Sequence, residues 1–339
     1  MSPPPSAARR LVADFVDAAA DLTVAPGFSR AGYALRRKLE AWAEPASMTG
    51  RTVIVTGATS GIGLAAATHL ARLGAAVHIV GRDGVRARKA RDAVAAAGPG
   101  PVSIDLADMA DPDAVKALGR RLAGQHDRVS ALVHAAGALS PSVRTNAAGV
   151  ELTVATHVLG PYLLTTALAP NLWRASAAIV TVSSGGMYGQ PFDLARLEMT
   201  ADGYNGVTAY ARAKRAQVVL ADAWAARFAA AGVASYSMHP GWVGTPGLQA
   251  GLPRFAALLR PVLRAPDQGA DTVVWLAAGS AVDPVTGQRA RSGFFHDRRP
   301  RSVQRFPVLR PVHAGDAGAL LAWCAARTGT ATPTPPTAP

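Results

Sequence analysis

The chain has 339 residues, 49% of them hydrophobic, which is enough to bury a substantial core. Its single cysteine, Cys324, excludes an internal disulfide, and no Cys/His cluster has the spacing of a zinc site, so we expect a reducing compartment and no bound metal. The formal charge of +13 is not gathered into runs with interleaved aromatics, which favours a solvated surface over nucleic-acid binding.

The sequence also bears on membranes and targeting. No stretch reaches the roughly 18 to 20 uninterrupted apolar residues of a membrane-spanning helix. The opening Met-Ser-Pro-Pro-Pro lacks the basic start and apolar block of a secretory signal. We therefore expect a cytoplasmic protein, while peripheral contact of the basic surface with a membrane stays open.

Three parts follow one another along the chain. Residues 1–50 contain two amphipathic stretches, 9–21 and 29–42, and are predicted to form an N-terminal helical extension. Residues 51–327 alternate apolar strands with Ala-rich helices and form the predicted catalytic domain. The Thr/Pro/Ala-rich residues 328–339 bury too little apolar surface to offset their ordering entropy, so we predict a disordered tail.

The alternation within the main domain fixes the predicted fold class. Continuous apolar strands separated by helices indicate a parallel sheet covered on both faces. The prediction is a doubly wound α/β sheet, a Rossmann fold of three α/β/α layers in one domain. The predicted strands are 52–56, 76–80, 102–104, 129–134, 177–183 and 234–239, and the predicted helices are 62–73, 83–97, 112–125, 147–169, 208–231 and 268–278.

A glycine-rich segment lies between the first strand and the first helix of this domain. Glycine there allows a tight turn, lets backbone amides approach a pyrophosphate and packs the helix against the sheet. The helix start adds free N–H groups and a partial positive charge, so the segment predicts a dinucleotide site. Its predicted cofactor-binding residues are Gly57, Thr59, Ser60, Gly61, Ile62 and Gly63.

The Gly-x3-Gly-x-Gly spacing preceded by Thr56 resembles the short-chain dehydrogenase/reductases. The resemblance covers roughly residues 50–300 and implies a nicotinamide-dependent oxidoreductase acting on a small-molecule carbonyl or alcohol. Three further segments, 182–187, 237–247 and 293–298, together with Gly32-Tyr33 of the extension, resemble a narrower branch of that family whose substrates are poorly defined.

The end of the second predicted strand bears on the choice of cofactor. Gly81 stands where an acidic residue would bind the ribose of NAD, and Arg82 follows it with donors that suit a 2′-phosphate. NADP(H) is therefore predicted over NAD(H), although Asp83 and Ser60 fit that choice less well. By resemblance, further cofactor contacts fall on Asp105, Leu106, Ala135, Ala136, Gly137, Pro240, Gly241, Val243 and Thr245.

The catalytic residues are predicted from spacing and resemblance together. Tyr210 and Lys214 lie four residues apart, on one face of a predicted helix, although this spacing alone also occurs in ordinary surface pairs. The resemblance implies that Tyr210 is the acid/base, that Lys214 lowers its pKa and binds the nicotinamide ribose, and that Ser184, rather than Ser183, orients the carbonyl.

His157 departs from the family pattern, which usually has asparagine at this place. Its imidazole could join a proton relay, or it could be a tolerated substitution. A second departure is His134-Ala135-Ala136-Gly137, where the family usually has Asn-Asn-Ala-Gly. Met187, Tyr188 and Phe192 could line the substrate pocket or pack in the core.

Two alternatives to the enzyme remain open at this point. The departures at 134 and 157 suit a protein that binds the dinucleotide without turnover, and the basic surface suits a peripheral membrane or nucleic-acid partner. The resemblance also implies a homodimer that pairs through the two long helices flanking the sheet. The segment 246–264 is predicted to be a flexible lid over the substrate.

Overall fold

The computed structural model describes residues 7–282, 287–305 and 311–336. Within these ranges the chain builds one eight-stranded sheet, in the order β3-β2-β1-β4-β5-β6-β7-β8. Strands β1 to β7 are parallel and β8 runs antiparallel to β7. The strands are β1 Thr52–Thr56, β2 Ala76–Gly81, β3 Val102–Leu106, β4 Ala131–His134, β5 Ala178–Val182, β6 Ala234–Met238, β7 Ser292–His296 and β8 Arg299–Pro300.

Helices cover both faces of the sheet, because the central strands are apolar on both sides. The helices are α1 Ala7–Leu22, α2 Ala25–Phe28, α3 Arg30–Glu40, α4 Gly61–Arg72, α5 Gly84–Ala95, α6 Pro112–Gln125, α7 Leu152–Val154, α8 Gly160–Ala175, α9 Gly206–Arg227, α10 Pro246–Gly251, α11 Pro253–Leu259, α12 Pro266–Ala277 and α13 Ala314–Thr328. Residues of α4, α5 and α12 contribute to one buried cluster, and residues of α6, α8, α9 and α13 to the other. The predicted doubly wound, three-layer fold is confirmed.

The order of the strands shows at which edge of the sheet a ligand is expected to bind. The chain enters at β1, winds outward to β3, and then crosses to β4 on the other side of β1. Loops that follow β1 and β4 therefore diverge at the carboxyl ends of these strands. Such a switch point is where open α/β sheets bind their ligands.

Helices α7 and α8 form one continuous helical stretch, Leu152–Ala175, joined by a π-helical turn at Ala155–Leu159. The stretch is long and apolar enough to cross a membrane by length and composition, but 83% of its most apolar window is buried inside the protein. It is therefore accounted for as a core helix. The π turn contains His157, and such turns are frequent at functional sites.

The segments at both ends of the described chain make contacts with other parts of the protein. The predicted helices 9–21 and 29–42 correspond to α1 and α3, which pack against each other. At the other end, the Tyr162 hydroxyl donates to the Thr330 carbonyl at 2.8 Å, and Arg227 Nε donates to the Pro333 carbonyl at 3.0 Å. The prediction of disorder is wrong for residues 328–336, because polar contacts hold this segment although it has little apolar surface. Residues 337–339 lie outside the described residues.

Candidate active site

The glycine loop takes the conformation that its composition predicts. Gly57 has φ of +69°, a left-handed value that favours glycine, and a Cβ atom built on it would lie 2.6 Å from Ala136 Cα. The loop after β1 and the segment after β4 therefore touch backbone to backbone. Side chains are excluded from this contact, which leaves the amides at the start of α4 open toward the switch point.

The start of α4 is free to bind an anion. Ser60 precedes the helix in extended conformation, and its side chain makes no capping hydrogen bond. The first N–H groups of a helix have no intrahelical partner and carry its positive dipole end. Gly61, Ile62 and Gly63 thus present amides suited to a pyrophosphate, as predicted.

Thr56, the last residue of β1, fixes the segment after β4. Its hydroxyl donates to the Val133 carbonyl at 3.3 Å and accepts the N–H groups of Ala135 and Ala136 at 3.2 and 3.3 Å. The neighbouring His134 is buried and bonded through Nε2 to Thr165 at 2.9 Å. Thr56 on the adjacent strand therefore holds Ala135 and Ala136 in place, and of these two Ala135 stands where the family pattern has its second asparagine.

The end of β2 borders a cleft of about 540 Å³ lined by Arg82, Asp83, Leu106, Ala107 and Asp108. The Arg82 side chain is 69% exposed and pairs with Asp108 at 3.3 Å. The Asp83 carboxylate caps α5, where it accepts the N–H groups of Val85 and Arg86 at 2.9 Å. Arg82 is thus the exposed cation at this cleft, and a phosphate bound there would compete with Asp108 for its guanidinium.

Asp105, predicted with Leu106 to contact the cofactor, has its side chain engaged inside the protein. Its buried carboxylate accepts from His78 Nδ1 at 2.7 Å and pairs with Arg121. Burial raises the pKa of Asp105, but these two hydrogen bonds outweigh it and the pKa is lowered. Of the predicted pair, only Leu106, which is 55% exposed, borders the cleft beside Arg82.

The candidate catalytic side chains come together at the end of β5. Ser184 follows β5, and its hydroxyl lies close enough to Tyr210 on α9 to lower the pKa of the phenol. Ser183 points the other way, since its hydroxyl donates to the Lys214 carbonyl at 2.8 Å within the core. The structure therefore places Ser184 beside the phenol and gives Ser183 a structural contact, as predicted.

Lys214 lies one helical turn after Tyr210 and is buried. Its ammonium donates to the Val182 carbonyl at 2.8 Å and to Gln217 Oε1 at 3.0 Å, and lies 5.4 Å from the centre of the Tyr210 ring. Burial lowers the pKa of Lys214 to about 7. Burial also raises the pKa of Tyr210, against the opposing Ser184 hydrogen bond, so the predicted lowering by Lys214 does not prevail in this arrangement.

His157 lies close to both Tyr210 and Lys214. Its Nε2 accepts the Ala138 N–H at 3.3 Å, so the hydrogen resides on Nδ1, which donates to the Thr153 carbonyl at 2.8 Å. The ring meets the Tyr210 ring edge-on, with centres 5.5 Å apart. Burial and the Lys214 charge hold the pKa of His157 well below its ordinary value, so the imidazole is neutral with both nitrogens bonded to backbone.

The loop after β6 reaches across to the glycine loop. Thr245 contacts Gly61, where a built Cβ would lie 3.1 Å from Thr245 Cγ2. The Thr245 hydroxyl accepts the Leu248 N–H at 3.1 Å, which leaves its own hydrogen available to a cofactor. Val243 is buried beside Ile62, and Pro240 and Gly241 begin the loop. These residues enclose the space between the two loops, as predicted.

Several side chains near the catalytic pair have a purely structural environment. Met187, Tyr188 and Phe192 are all buried in hydrophobic clusters, so the core interpretation is the correct one for them. His239 is also buried and stacks on His296, with ring centres 3.8 Å apart. The sequence did not indicate that His239 and His296 are neighbours, because the two residues are distant along the chain.

The predicted lid is helical. It consists of α10 and α11, and Gly251 at the end of α10 packs against Leu139 of the segment after β4. Trp242 and Phe255 meet edge-on, with ring centres 5.9 Å apart. Leu139, Trp242 and Phe255 thus belong to the segment after β4, the loop after β6 and α11, and of these the sequence pointed only to the segments that contain the last two.

Comparisons with known proteins bear on the whole arrangement. A model of the family described as short chain dehydrogenase matches residues 51–252. Human dehydrogenase/reductase SDR family member 12 is 36% identical over 256 residues, which is 75% of this chain and 78% of that protein. The putative daunorubicin C-13 ketoreductase DnrU of Streptomyces sp. (strain C5) is 36% identical over 276 residues, 81% of this chain and 90% of that protein.

Solved structures agree with these matches. A putative NAD(P) dependent gluconate 5-dehydrogenase from Beutenbergia cavernae, with bound NADP, aligns with a TM-score of 0.57 at 29% identity. The alignment covers 74% of this chain and 97% of that structure. The similarity to family member 12 confirms the narrower branch indicated by the segments near 182, 237 and 293.

Proposed function

Because the chain belongs to the short-chain dehydrogenase/reductase family of NAD(P)-dependent oxidoreductases, we propose that it interconverts a carbonyl and an alcohol with NADP(H), with Tyr210 as the acid/base. The observation that carries the proposal is that Ser184, Tyr210 and Lys214 come together, with the Lys214 ammonium 5.4 Å from the centre of the Tyr210 ring and 3.8 Å from a Cβ atom built on Gly137. The Ser184 and Tyr210 hydroxyls can each donate one hydrogen to a carbonyl oxygen that lies between them.

The proposed reaction uses this pair directly. In the reducing direction, the nicotinamide supplies a hydride to the carbonyl carbon when the cofactor is bound. Ser184 holds the carbonyl oxygen, and Tyr210 donates its phenolic proton to that oxygen as negative charge develops there. In the oxidising direction Tyr210 accepts the proton from the alcohol.

Lys214 and His157 support the phenol in different ways. Lys214 lies at the face of the Tyr210 ring, where its ammonium favours the phenolate that remains after proton transfer. His157 is a positioning residue in our proposal, because both of its nitrogens are bonded to backbone groups and its neutral ring packs against Tyr210. A relay through His157 would require one of those hydrogen bonds to break.

NADP(H) is the preferred cofactor in the proposal. Arg82 is exposed at the cleft beside Leu106, Asp83 is engaged in capping α5, and a structural relative is described with bound NADP. A guanidinium can pair with two oxygens of a 2′-phosphate. We expect Arg82→Ala to weaken NADPH binding far more than NADH binding.

The apolar walls favour a bulky, partly apolar carbonyl substrate. We place the apolar side chains of Leu139, Trp242 and Phe255, which lie on the segment after β4, the loop after β6 and α11, on the substrate side of the site, and one relative carries the name of a ketoreductase of daunorubicin, a polycyclic aromatic compound. Polycyclic aryl ketones are therefore the first class to test, with steroids, retinoids and small aliphatic aldehydes beside them.

The test is NADPH oxidation over that panel with three variants. We expect Tyr210→Phe to reduce kcat by about 10²- to 10⁴-fold, the range of general acid–base catalysis, and Ser184→Ala to reduce it to a smaller extent. Ser183→Ala is the matched control, and its activity should stay near that of the parent. Equal activity of Tyr210→Phe and the parent would contradict the proposal.

Two other outcomes would identify the alternatives. Tight NADPH binding without turnover of any compound, in either direction, would indicate a dinucleotide-binding protein that lacks catalysis. Salt-sensitive binding to DNA or to anionic liposomes, without dinucleotide binding, would indicate a polyanion partner. Tighter binding of NADH than NADPH would contradict the cofactor assignment alone.

A further inference from the structure

Phe28, in the N-terminal extension, lies between two loops of the catalytic domain. Its ring abuts Gly185, where a built Cβ would lie 2.6 Å from Phe28 Cε2, so Phe28 touches the turn that follows Ser184. Its ring centre lies 4.4 Å from that of His239 and 5.9 Å from that of Trp242, in the loop after β6. One side chain of the extension therefore contacts both loops at the nicotinamide end of the cleft.

The backbone of the extension is tied to the same place. The Phe28 carbonyl accepts the Trp242 N–H at 2.9 Å and Arg264 Nε at 3.0 Å. The Arg264 N–H in turn donates to the Trp242 carbonyl at 2.7 Å. Gly241 has φ of +77° and no space for a Cβ, which would lie 2.5 Å from Arg264 Nε. The loop that covers the cofactor thus rests directly on Phe28 and Arg264.

Arg264 joins three parts of the chain through a fully buried side chain. Its guanidinium pairs with Asp297 at 2.6 and 2.8 Å and donates to the Gly27 and Pro240 carbonyls at 2.9 and 3.1 Å. Asp297 also pairs with Arg36 of α3 at 2.7 Å. Buried charges of this kind hold one geometry, since a displaced partner would leave an uncompensated charge out of water.

We propose that Phe28 and Arg264 are positioning residues that set the Ser184 turn and the loop 240–245 for cofactor binding, so that the N-terminal extension completes the active site. The inference rests on the proposed function for its effect on catalysis, but the positioning itself is a property of the protein alone. Misplacing a catalytic geometry by about 1 Å can cost on the order of 10²-fold in rate.

Arg264→Lys tests the proposal against a matched control, Arg298→Lys. Arg298 also ties the extension to the domain, through the Ala43 carbonyl at 2.6 Å and Asp271 at 2.7 Å, but neither partner belongs to the loops. Lysine keeps the charge and loses the two-pronged geometry. We expect Arg264→Lys to weaken NADPH binding by about tenfold or more and Arg298→Lys to change it less than twofold, at comparable melting temperatures.

Amide hydrogen exchange provides a readout that does not depend on cofactor. In the free protein, Arg264→Lys and Phe28→Ala should accelerate exchange in residues 184–189 and 240–245, with protection of the β-sheet unchanged. Phe28→Leu, which keeps most of the apolar volume, should restore protection in part. Arg298→Lys should leave both loops as in the parent.

The outcomes separate the two proposals. Equal exchange in both loops for Arg264→Lys, Phe28→Ala and Arg298→Lys would overturn the positioning role, whatever the activity. If the parent binds neither NADPH nor NADH, the proposed function fails, and the exchange data alone decide whether the extension orders the loops. If Arg264→Lys does not fold, Phe28→Leu and Phe28→Ala still give the comparison.

Discussion

His157→Phe is the substitution that best separates positioning from proton relay. Phenylalanine keeps a flat ring against Tyr210, whose ring centre lies 5.5 Å away, but has neither nitrogen. The Ala138 N–H and the Thr153 carbonyl would each lose a partner, now at 3.3 and 2.8 Å. An unpaired buried polar group costs about 1–3 kcal/mol, so for two such groups we expect a loss of about 2–6 kcal/mol in the free energy of unfolding.

The expected consequence is a lower melting temperature and a lower rate, with an unaltered pH dependence. In a domain of this size each kcal/mol corresponds to a shift of roughly 2–4 °C. The segment around Gly137 rests on His157 Nε2, 2.9 Å from a Cβ built on that glycine, so its displacement should raise the KM for NADPH. Because the imidazole is neutral in the folded protein, its removal should leave the inflections of the pH–rate profile in place.

The assay is the profile of kcat/KM for NADPH-dependent reduction, recorded with the parent, His157→Phe and His157→Asn. Asparagine retains one donor and one acceptor, so we expect a smaller loss than with phenylalanine. His69→Phe, which removes an exposed imidazole paired with Asp267, serves as the control. Loss of one limb of the profile in both His157 variants but not in the control would refute positioning and support a relay.

Three shorter predictions concern cofactor binding, pH and the C-terminal segment. Gly57→Ala should abolish NADPH binding in calorimetry and lower the melting temperature, because its Cβ would meet Ala136 at 2.6 Å. The pKa of Lys214 is about 7 in the folded protein and 10.5 in its ordinary state. Between these two pH values the unfolded chain holds a proton on Lys214 that the folded protein has lost, so the free energy of unfolding should rise with pH. Lys214→Met should flatten that rise in thermal melts. Tyr162→Phe removes hydrogen bonds to Thr330 and Thr332 and should cost about 1–2 kcal/mol, with faster hydrogen exchange in residues 328–336.

Features set by local pattern were predictable from the sequence. The strand β1, the glycine loop and the start of α4 follow from an apolar run, three glycines and a helical stretch that are adjacent in the chain. Tyr210 and Lys214 share a helix, so their common face follows from spacing alone. Ser184 joins them because β5 ends at the carboxyl edge of the sheet, which the parallel topology dictates.

Features set by contacts between distant segments were not predictable. The direction of the Asp105 side chain depends on His78 in β2 and Arg121 in α6, and no local pattern encodes that pairing. The strand β7 has glycine and two phenylalanines but few β-branched residues, so it lacked the signal of the earlier strands. The order in residues 328–336 depends on Tyr162 and Arg227, which lie more than a hundred residues away.

The N-terminal extension illustrates the same limit at the active site. Its amphipathic pattern predicted α1 and α3 but carried no information on what the apolar faces cover. Arg36, Arg264 and Asp297 come from three separate regions, and the two guanidiniums meet the one carboxylate only after folding. Burial of such a group is not visible in composition, where arginine and aspartate are typical of exposed positions.

The departures from the family pattern do not by themselves favour a protein without turnover. An asparagine pair in the segment after β4 would serve to hold backbone groups beside the cofactor, and here Thr56 accepts two N–H groups of that segment from the neighbouring strand. His157 likewise satisfies two backbone groups with its own nitrogens. Because the N–H groups of Ala135, Ala136 and Ala138 all have partners, the two departures do not leave this segment without support, and turnover in the NADPH-oxidation panel decides between an enzyme and a silent dinucleotide-binding protein.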